Sequence, residues 1–523
     1  MSAAQYPLDQ TINVTICVMY ERNTVGLLYD FNRAQPALDM ALTYVNEAVV
    51  APDMYVNAIY RDIGPYCTDP GLTNAAQHAL YLHDQGIHCD VYLGPGCGSA
   101  AEPLYDLAVT WDKPVIGLPS ASVGLLITPY YYDHLTRMSF AFPTLNAAIV
   151  SFLNYFNYTT PAFFYDTSLN FFSEAGQLIM ASLQQNYTKL YLASKVFPFN
   201  SSLATDASLT ELLQTASRTS RVFFILMDAG DTRKLMMLAR QLGMVGGDYV
   251  FIAVELFDSE VWGTFTWRNN DANDQAAREA YRALLIISLD INNKNDESAD
   301  NLRTFWKEVV NLSKTKYNYT FPQIYTSRVD PVVAHFYEAV VMYASQAYVM
   351  HQQNMSYQSG EAFCSFVSYK QFSSPLTGTY SLDENSERRS PYVVKIMDDQ
   401  TGQYVIMVQI DPDAVLTVVG AFSFVGHPKL PPNEPRCGFR DDNPICIAER
   451  SALPKGTIES SVSVPLLVFF GAALGVAYAI RRSLQDDSDP FWWRIILADI
   501  DISNTSTTSH RSSVSPETCD FGF

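Results

Sequence analysis

Residues 91–99 read VYLGPGCGS. An apolar run, Val91 to Leu93, ends in a glycine-proline-glycine turn, and Ser99 to Thr110 follows with helical periodicity. A strand feeding a helix through such a turn is half of a βαβ unit, and the flanking sequence supplies the rest. Upstream, Ile12 to Tyr20 (INVTICVMY) is a β-branched run with the texture of a strand buried on both faces. Pro36 opens a helix carrying Leu38, Ala41, Leu42, Val45 and Val49 on one side. Met54 to Tyr60 reads as a strand, Asn74 to Leu82 as a helix and Val115 to Leu118 as a strand. Strands separated by helices imply a parallel sheet covered on both faces. The pattern breaks near Pro143 and restarts with strands at Ala162–Tyr165, Leu190–Phe197, Val222–Met227, Tyr249–Val254 and Leu284–Leu289. Asp330 to Met350 is a long amphipathic helix, and Leu376 to Ile410 turns to short strands, the edge of a mixed sheet. The fold class is therefore α/β, with two lobes in succession and later segments returning to each.

Composition narrows the function. The chain has 523 residues, 48% apolar and 17% charged, so a large core is available and a disordered chain is excluded. With 34 basic and 54 acidic residues the net charge is −20, which opposes binding to a phosphate backbone, so no nucleic-acid partner is expected. Thirty-two tyrosines and thirty phenylalanines suit either a large core or a peptide-binding surface.

Cysteines and glycosylation sequons indicate the secretory pathway. Asn13, Asn157, Asn186, Asn200, Asn311, Asn318 and Asn354 each begin an N-x-S/T triplet. Cys17, Cys67, Cys89, Cys97, Cys364, Cys437 and Cys446 precede a hydrophobic segment and Cys519 follows it; none forms a CxxC, so no zinc ribbon or other metal site is indicated. Cys437 and Cys446 are expected to close a short loop. Cys17, in the first strand, reads as a buried thiol, and at least one of Cys17, Cys89 and Cys364 should stay free or pair between chains. Residues 1–10 contain neither a basic start nor an apolar stretch, so the sequence reads as one that has lost an upstream leader.

The hydrophobic segment is Val462–Ile480, nineteen residues without a charge. As a helix it would span roughly 28 Å, about one hydrocarbon core. Arg481 and Arg482 follow it, which places residues 1–461 outside the cell and the remaining tail inside. Gly471 and Gly475 form a small-xxx-small pair on one helix face, a route to self-association against the alternative that membrane helices are simply rich in glycine.

Chemistry is sparse. The turn Gly94–Gly98 could hold an anion on its N–H groups or be purely structural; it is not a dinucleotide fingerprint. Ser120 and Ser122 follow the fourth strand at the carboxyl edge of the sheet, where open α/β folds bind ligands, and Ser99 either joins them or caps its helix. His78, His83 and His88 are spread around a helix. Asp520-Phe521-Gly522 imitates a kinase motif without its companions. No catalytic residue set is complete within these residues.

Several segments together resemble one family. VGHPKLPPNEPRCGFRDDNPIC (425–446) looks like the juxtamembrane signature of receptor guanylyl cyclases and natriuretic-peptide receptors, and DPFWWRIILADI (489–500) is similar to the start of their kinase-homology region. AQPALDMALTYVNE from Ala34, YLGPGCGSA from Tyr92, HLTRMSFAFPT from His134 and VVAHFYEAVVMYASQA from Val332 resemble their extracellular ligand-binding region. The resemblance implies a type I periplasmic-binding-protein-like ectodomain over 1–424, a juxtamembrane Cys loop over 425–461, a single transmembrane helix over 462–480 and a cytoplasmic tail over 481–523. It implies a homodimer, an extracellular peptide or small-molecule ligand, and, in full-length relatives, a cyclase making cGMP. A short-tailed clearance receptor or a soluble solute-binding protein are the alternatives. The resemblance also implies a Cys67–Cys97 disulfide, for which Cys89 competes. It further implies a chloride at Gly96 and Cys97; the serine that supports this ion in the family has no counterpart in RDIGPYC (61–67), so one of its contacts is missing. No other cofactor is implied.

Overall fold

A computed structural model of the chain describes residues 11–452 and 471–482, apart from 25–28, 66, 68–70, 121–132, 141, 257–261, 291–295, 323–325, 327–329 and 441. Two compact units divide it, Met1–Asn443 and Pro444–Phe523.

The first unit contains two lobes. In the first lobe β1 (Ile12–Tyr20), β2 (Met54–Asp62), β3 (Val91–Leu93), β4 (Val115–Gly117) and β5 (Leu135–Arg137) form a parallel sheet in the order β2-β1-β3-β4-β5. The register of β1 against β3 pairs Ile16 with Val91 and Val18 with Leu93, so the carboxyl ends of both strands arrive together at residues 20–21 and 94–97. In the second lobe β6 (Ala162–Asp166), β7 (Lys195–Phe199), β8 (Val222–Leu226), β9 (Val250–Val254) and β10 (Leu284–Leu289) run parallel. VFFIL, VFIAV and LLIISL are buried at every residue because helices cover both faces of these central strands.

The later segments return as expected. The helix Pro331–Gln352 packs along Phe31–Tyr44 in the first lobe, and a buried ion pair of 2.7 Å joins Arg33 to Asp330. β11 (Gln371–Ser374), β12 (Gly378–Leu382) and β13 (Arg388–Arg389) form a small antiparallel sheet, tied to β5 where the Arg137 amide donates to the Ser386 carbonyl. After Ser390 the chain crosses again, and β14 (Tyr392–Met397), β15 (Tyr404–Ile410) and β16 (Leu416–Val418) extend the second sheet antiparallel beyond β10. The chain thus passes between the lobes after β5, after β10 and after β13.

Four details differ from the sequence reading. The first helix begins at Phe31, not Pro36, because Asp30 caps it by accepting the Asn32 amide, and Pro36 is carried inside. Leu190–Phe197 is not one strand: Thr188–Ala193 is a short helix and β7 starts at Lys195, an ambiguity that a short apolar run cannot resolve by period. β5 carries no strand signal in the sequence, since Thr136 and Arg137 hide a fully buried three-residue strand. Cys17 is buried but is no thiol: it is disulfide-bonded to Cys89, at a Cα separation of 5.6 Å. Parallel pairing of β1 with β3 brings the two cysteines into one neighbourhood, because Cys89 lies two residues before the strand that pairs with Cys17. The free cysteine among the described residues is Cys364, which is buried.

In the second unit, Pro444–Ala452 is helical, as are residues 471–482, where every residue is exposed. Residues 462–470 of the expected membrane span lie outside the described residues. Among the described residues no helix is long and apolar enough to cross a membrane.

Candidate functional site: the Gly94–Cys97 turn and the interlobe face

The turn after β3 is built by steric necessity. Gly94 has φ +86°, and a Cβ there would lie 2.4 Å from the Met19 carbonyl oxygen. A Cβ on Gly96 would lie 2.2 Å from the Tyr29 ring, so only glycine lets that ring close over the turn. Cys97 is disulfide-bonded to Cys67, and the Tyr29 hydroxyl points at the Cys67 sulfur at 3.7 Å. Behind the turn, Ser120 is fully buried with φ +50° and donates its hydroxyl to the Pro95 carbonyl, while the Tyr20 hydroxyl donates to the Leu118 carbonyl.

Glu21, the first residue after β1, fills the front of this turn. Its carboxylate accepts the Gly96 amide at 3.0 Å and the Cys97 amide at 2.9 Å, and the residue is fully buried. Burial pushes its carboxyl up to about 7, against the pull of these backbone donors, and nearby Asp30 adds to the rise. Gly98–Thr110 starts immediately beyond Cys97, so the carboxylate also sits at the positive end of a helix.

The two lobes meet beside this turn. Ser99, on the first turn of that helix, donates to the Glu174 carboxylate at 3.3 Å from the helix Asn170–Asn186 of the second lobe. Burial raises the Glu174 carboxyl to about 7, against the pull of the Ser99 hydrogen bond and with Glu102 contributing to the rise. Near the first crossover, Phe140 and Phe142 pack edge-on, and Phe171 touches both rings and Trp262 at 4.4 Å. The interlobe face is thus acidic on one side and aromatic on the other. Two cavities flank the third crossover at Arg389 and Ser390: one of about 700 Å³ lined by Thr144, Asp383 and Asp411, and one of about 360 Å³ lined by His335, Tyr380 and Arg388. In the second, Arg388 forms a 2.5 Å ion pair with Glu338, and burial together with Arg388 pushes His335 well below its ordinary value.

Residues 33–400 match the family described as the receptor family ligand binding region. The chain belongs to that family. It is 23% identical to human atrial natriuretic peptide receptor 3 over 380 residues, covering 71% of this chain and 66% of that protein. It is 25% identical to the receptor-type guanylate cyclase gcy-28 of Caenorhabditis elegans over 521 residues, covering 90% of this chain and 39% of that protein. It is 20% identical to bovine atrial natriuretic peptide receptor 2 over 516 residues, covering 94% and 46%. The chain therefore spans from 39% to 66% of the length of these three relatives. Among solved structures, a leucine-binding protein, LivK, from Thermotoga maritima superposes with a TM-score of 0.49 at 16% identity, covering 76% of this chain and 99% of that one.

The sequence candidates meet different fates. Gly96, Cys97 and Ser99 lie together at the interlobe edge, and Ser99 bonds across the lobes where a cap was the alternative. Ser120 is spent inside the turn, which removes its hydroxyl from any ligand-facing set. Ser122 lies outside the described residues. The implied chloride does not fit: the two amides that would hold it already carry the Glu21 carboxylate. Sequence reading missed Glu21 and Glu174. A glutamate ending an otherwise apolar strand was the available signal for the first; the second carries none, because only the lobe packing brings it to Ser99. Asn13, Asn157, Asn186, Asn311, Asn318 and Asn354 are exposed, whereas Asn200 is half-buried with its amide oxygen enclosed. Cys437 and Cys446 are each disulfide-bonded.

Proposed function

We propose that the chain is the ligand-binding portion of a single-pass cell-surface receptor that takes an extracellular peptide or small molecule. The match of residues 33–400 to a receptor ligand-binding family carries this reading. The ligand would seat on the interlobe face, at the carboxyl ends of β1, β3 and β6, where open α/β sheets present their crevice. Binding would favour one arrangement of the lobes, and a homodimer would pass that preference through the helix 462–480. In this reading residues 1–424 bind, 425–461 connect, 481–523 are cytoplasmic, and a longer form makes cGMP as relatives named guanylate cyclases do. The alternative reading is a short-tailed binding receptor without cyclase activity.

Expression of the chain behind a secretory leader, with a tag at its amino terminus, tests the receptor reading. Antibody labelling of intact cells and sensitivity of bound sugar to glycosidase are expected. A tag reached only after permeabilisation would overturn it. Extending the transcript past residue 523 separates the two readings, since cyclase sequence is either found or not.

A further inference from the structure

We propose that the Glu21 side chain fills a binding cradle for a small monovalent anion, so that the ectodomain is insensitive to free halide. The inference rests on the geometry of the turn and not on the identity of the receptor's ligand.

Two N–H groups on consecutive residues, Gly96 and Cys97, converge on one carboxylate at 3.0 and 2.9 Å. Consecutive amides that converge in this way form an anion-binding concavity, and the start of Gly98–Thr110 adds the field of a helix end. The cradle is rigid: the Cys67–Cys97 disulfide fixes one side, the Tyr29 ring closes on Gly96, and Ser120 pins the Pro95 carbonyl from behind. Glu21 is fully buried, and no cation is paired with it among the described residues. A buried carboxylate without a counter-cation is costly unless its oxygens are hydrogen-bonded. The two amides therefore account for its presence, and it accounts for theirs. A side chain held by the fold loses no translational freedom on occupying the cradle, whereas a dissolved halide does, so the halide competes poorly. Truncating Glu21 would leave two buried donors unpaired and a space of carboxylate size, which a diffusible anion can fill.

The test is thermal unfolding of the full chain at pH 8 and constant ionic strength, titrating chloride, bromide or formate against gluconate. Wild type is expected to be flat in all three. Glu21→Ala should unfold about 5 °C lower in gluconate and recover saturably as chloride or formate is added. Glu21→Gln, which keeps the bulk and an acceptor oxygen for the two amides, should leave no space for an ion and respond to none of the three anions. A saturable chloride response of wild type would overturn the proposal, as would a Glu21→Ala protein that folds yet recovers with none of the three anions. If Glu21→Ala folds only when expressed with formate or chloride present, the proposal stands; if it folds under no anion while Glu21→Gln folds normally, the space is not one a free anion can fill and the proposal fails. None of these readouts requires a receptor ligand.

Discussion

Arg137 and Glu387 lie 2.9 Å apart with each side chain 1% exposed, joining the last strand of the first sheet to the segment that leads into the third crossover. Burial outweighs the guanidinium and pushes the Glu387 carboxyl up to about 7. A pair so enclosed gains little over apolar residues, but half of it is a liability. Arg137→Met at pH 8 should therefore cost roughly 3–5 kcal/mol, read by urea unfolding, and Arg137→Met with Glu387→Leu should recover most of that. Additive losses in the double variant would show that the residues act separately.

The interlobe contact should titrate. Folding raises the Glu174 carboxyl from 4.5 to about 7, so the folded state holds the proton more tightly than the unfolded chain. That stabilisation is complete below about 4.5 and is lost as pH rises through about 7, a change on the order of 3 kcal/mol. Glu21 adds a slope of the same sign. Thermal unfolding between pH 4.5 and 8 should show stability falling with pH, and Glu174→Gln should flatten part of the fall. An unchanged profile would place Glu174 in water.

The Cys17–Cys89 bridge closes a separation of 72 residues across the core of the first lobe. Removing a link over a loop that long costs about 4 kcal/mol in the chain-entropy treatment. Cys17→Ala with Cys89→Ala should lower stability by about that amount, measured against wild type under non-reducing conditions. Non-reducing peptide mapping that finds Cys17 alkylated would contradict the pairing itself.

Much of this architecture is legible in the sequence. Val91–Leu93 and Leu284–Leu289 are legible to the residue because buried parallel strands are continuous apolar runs. The lobe change near Pro143 was visible as a break in that rhythm. What escaped detection depends on packing. β5 is three residues long and ends on an arginine that is apolar in neither composition nor period; its burial follows only from Glu387, 250 positions later. Ser99 and Glu174 are separated by 75 residues, and nothing local marks either as half of an interlobe bond. Cys17 and Cys89 illustrate the same limit, since strand order, not spacing, makes them neighbours.

Gly96 offers a direct probe of the turn. A methyl group there would meet the Tyr29 ring at 2.2 Å, so Gly96→Ala must displace that ring and loosen the amides that hold Glu21. A loss of roughly 1–3 kcal/mol is expected. Adding Tyr29→Ala should restore part of it by making room, and the two variants measured by urea unfolding give the coupling. Equal losses with and without the tyrosine would remove Tyr29 from the account.

The central claim is that a ligand seats between the two lobes beside Ser99 and Glu174. The most direct measurement is a thermal-shift titration of the full chain in detergent against natriuretic peptides, other short peptides and a panel of amino acids and nucleotides. The account predicts a saturable rise in unfolding temperature for one class, corresponding to about 2.7 kcal/mol at a hundredfold excess over Kd. It also predicts that Ser99→Ala combined with Glu174→Ala weakens that response while leaving the chain folded. A saturable response that the double variant leaves untouched, or no response to any class from a folded chain, would contradict it.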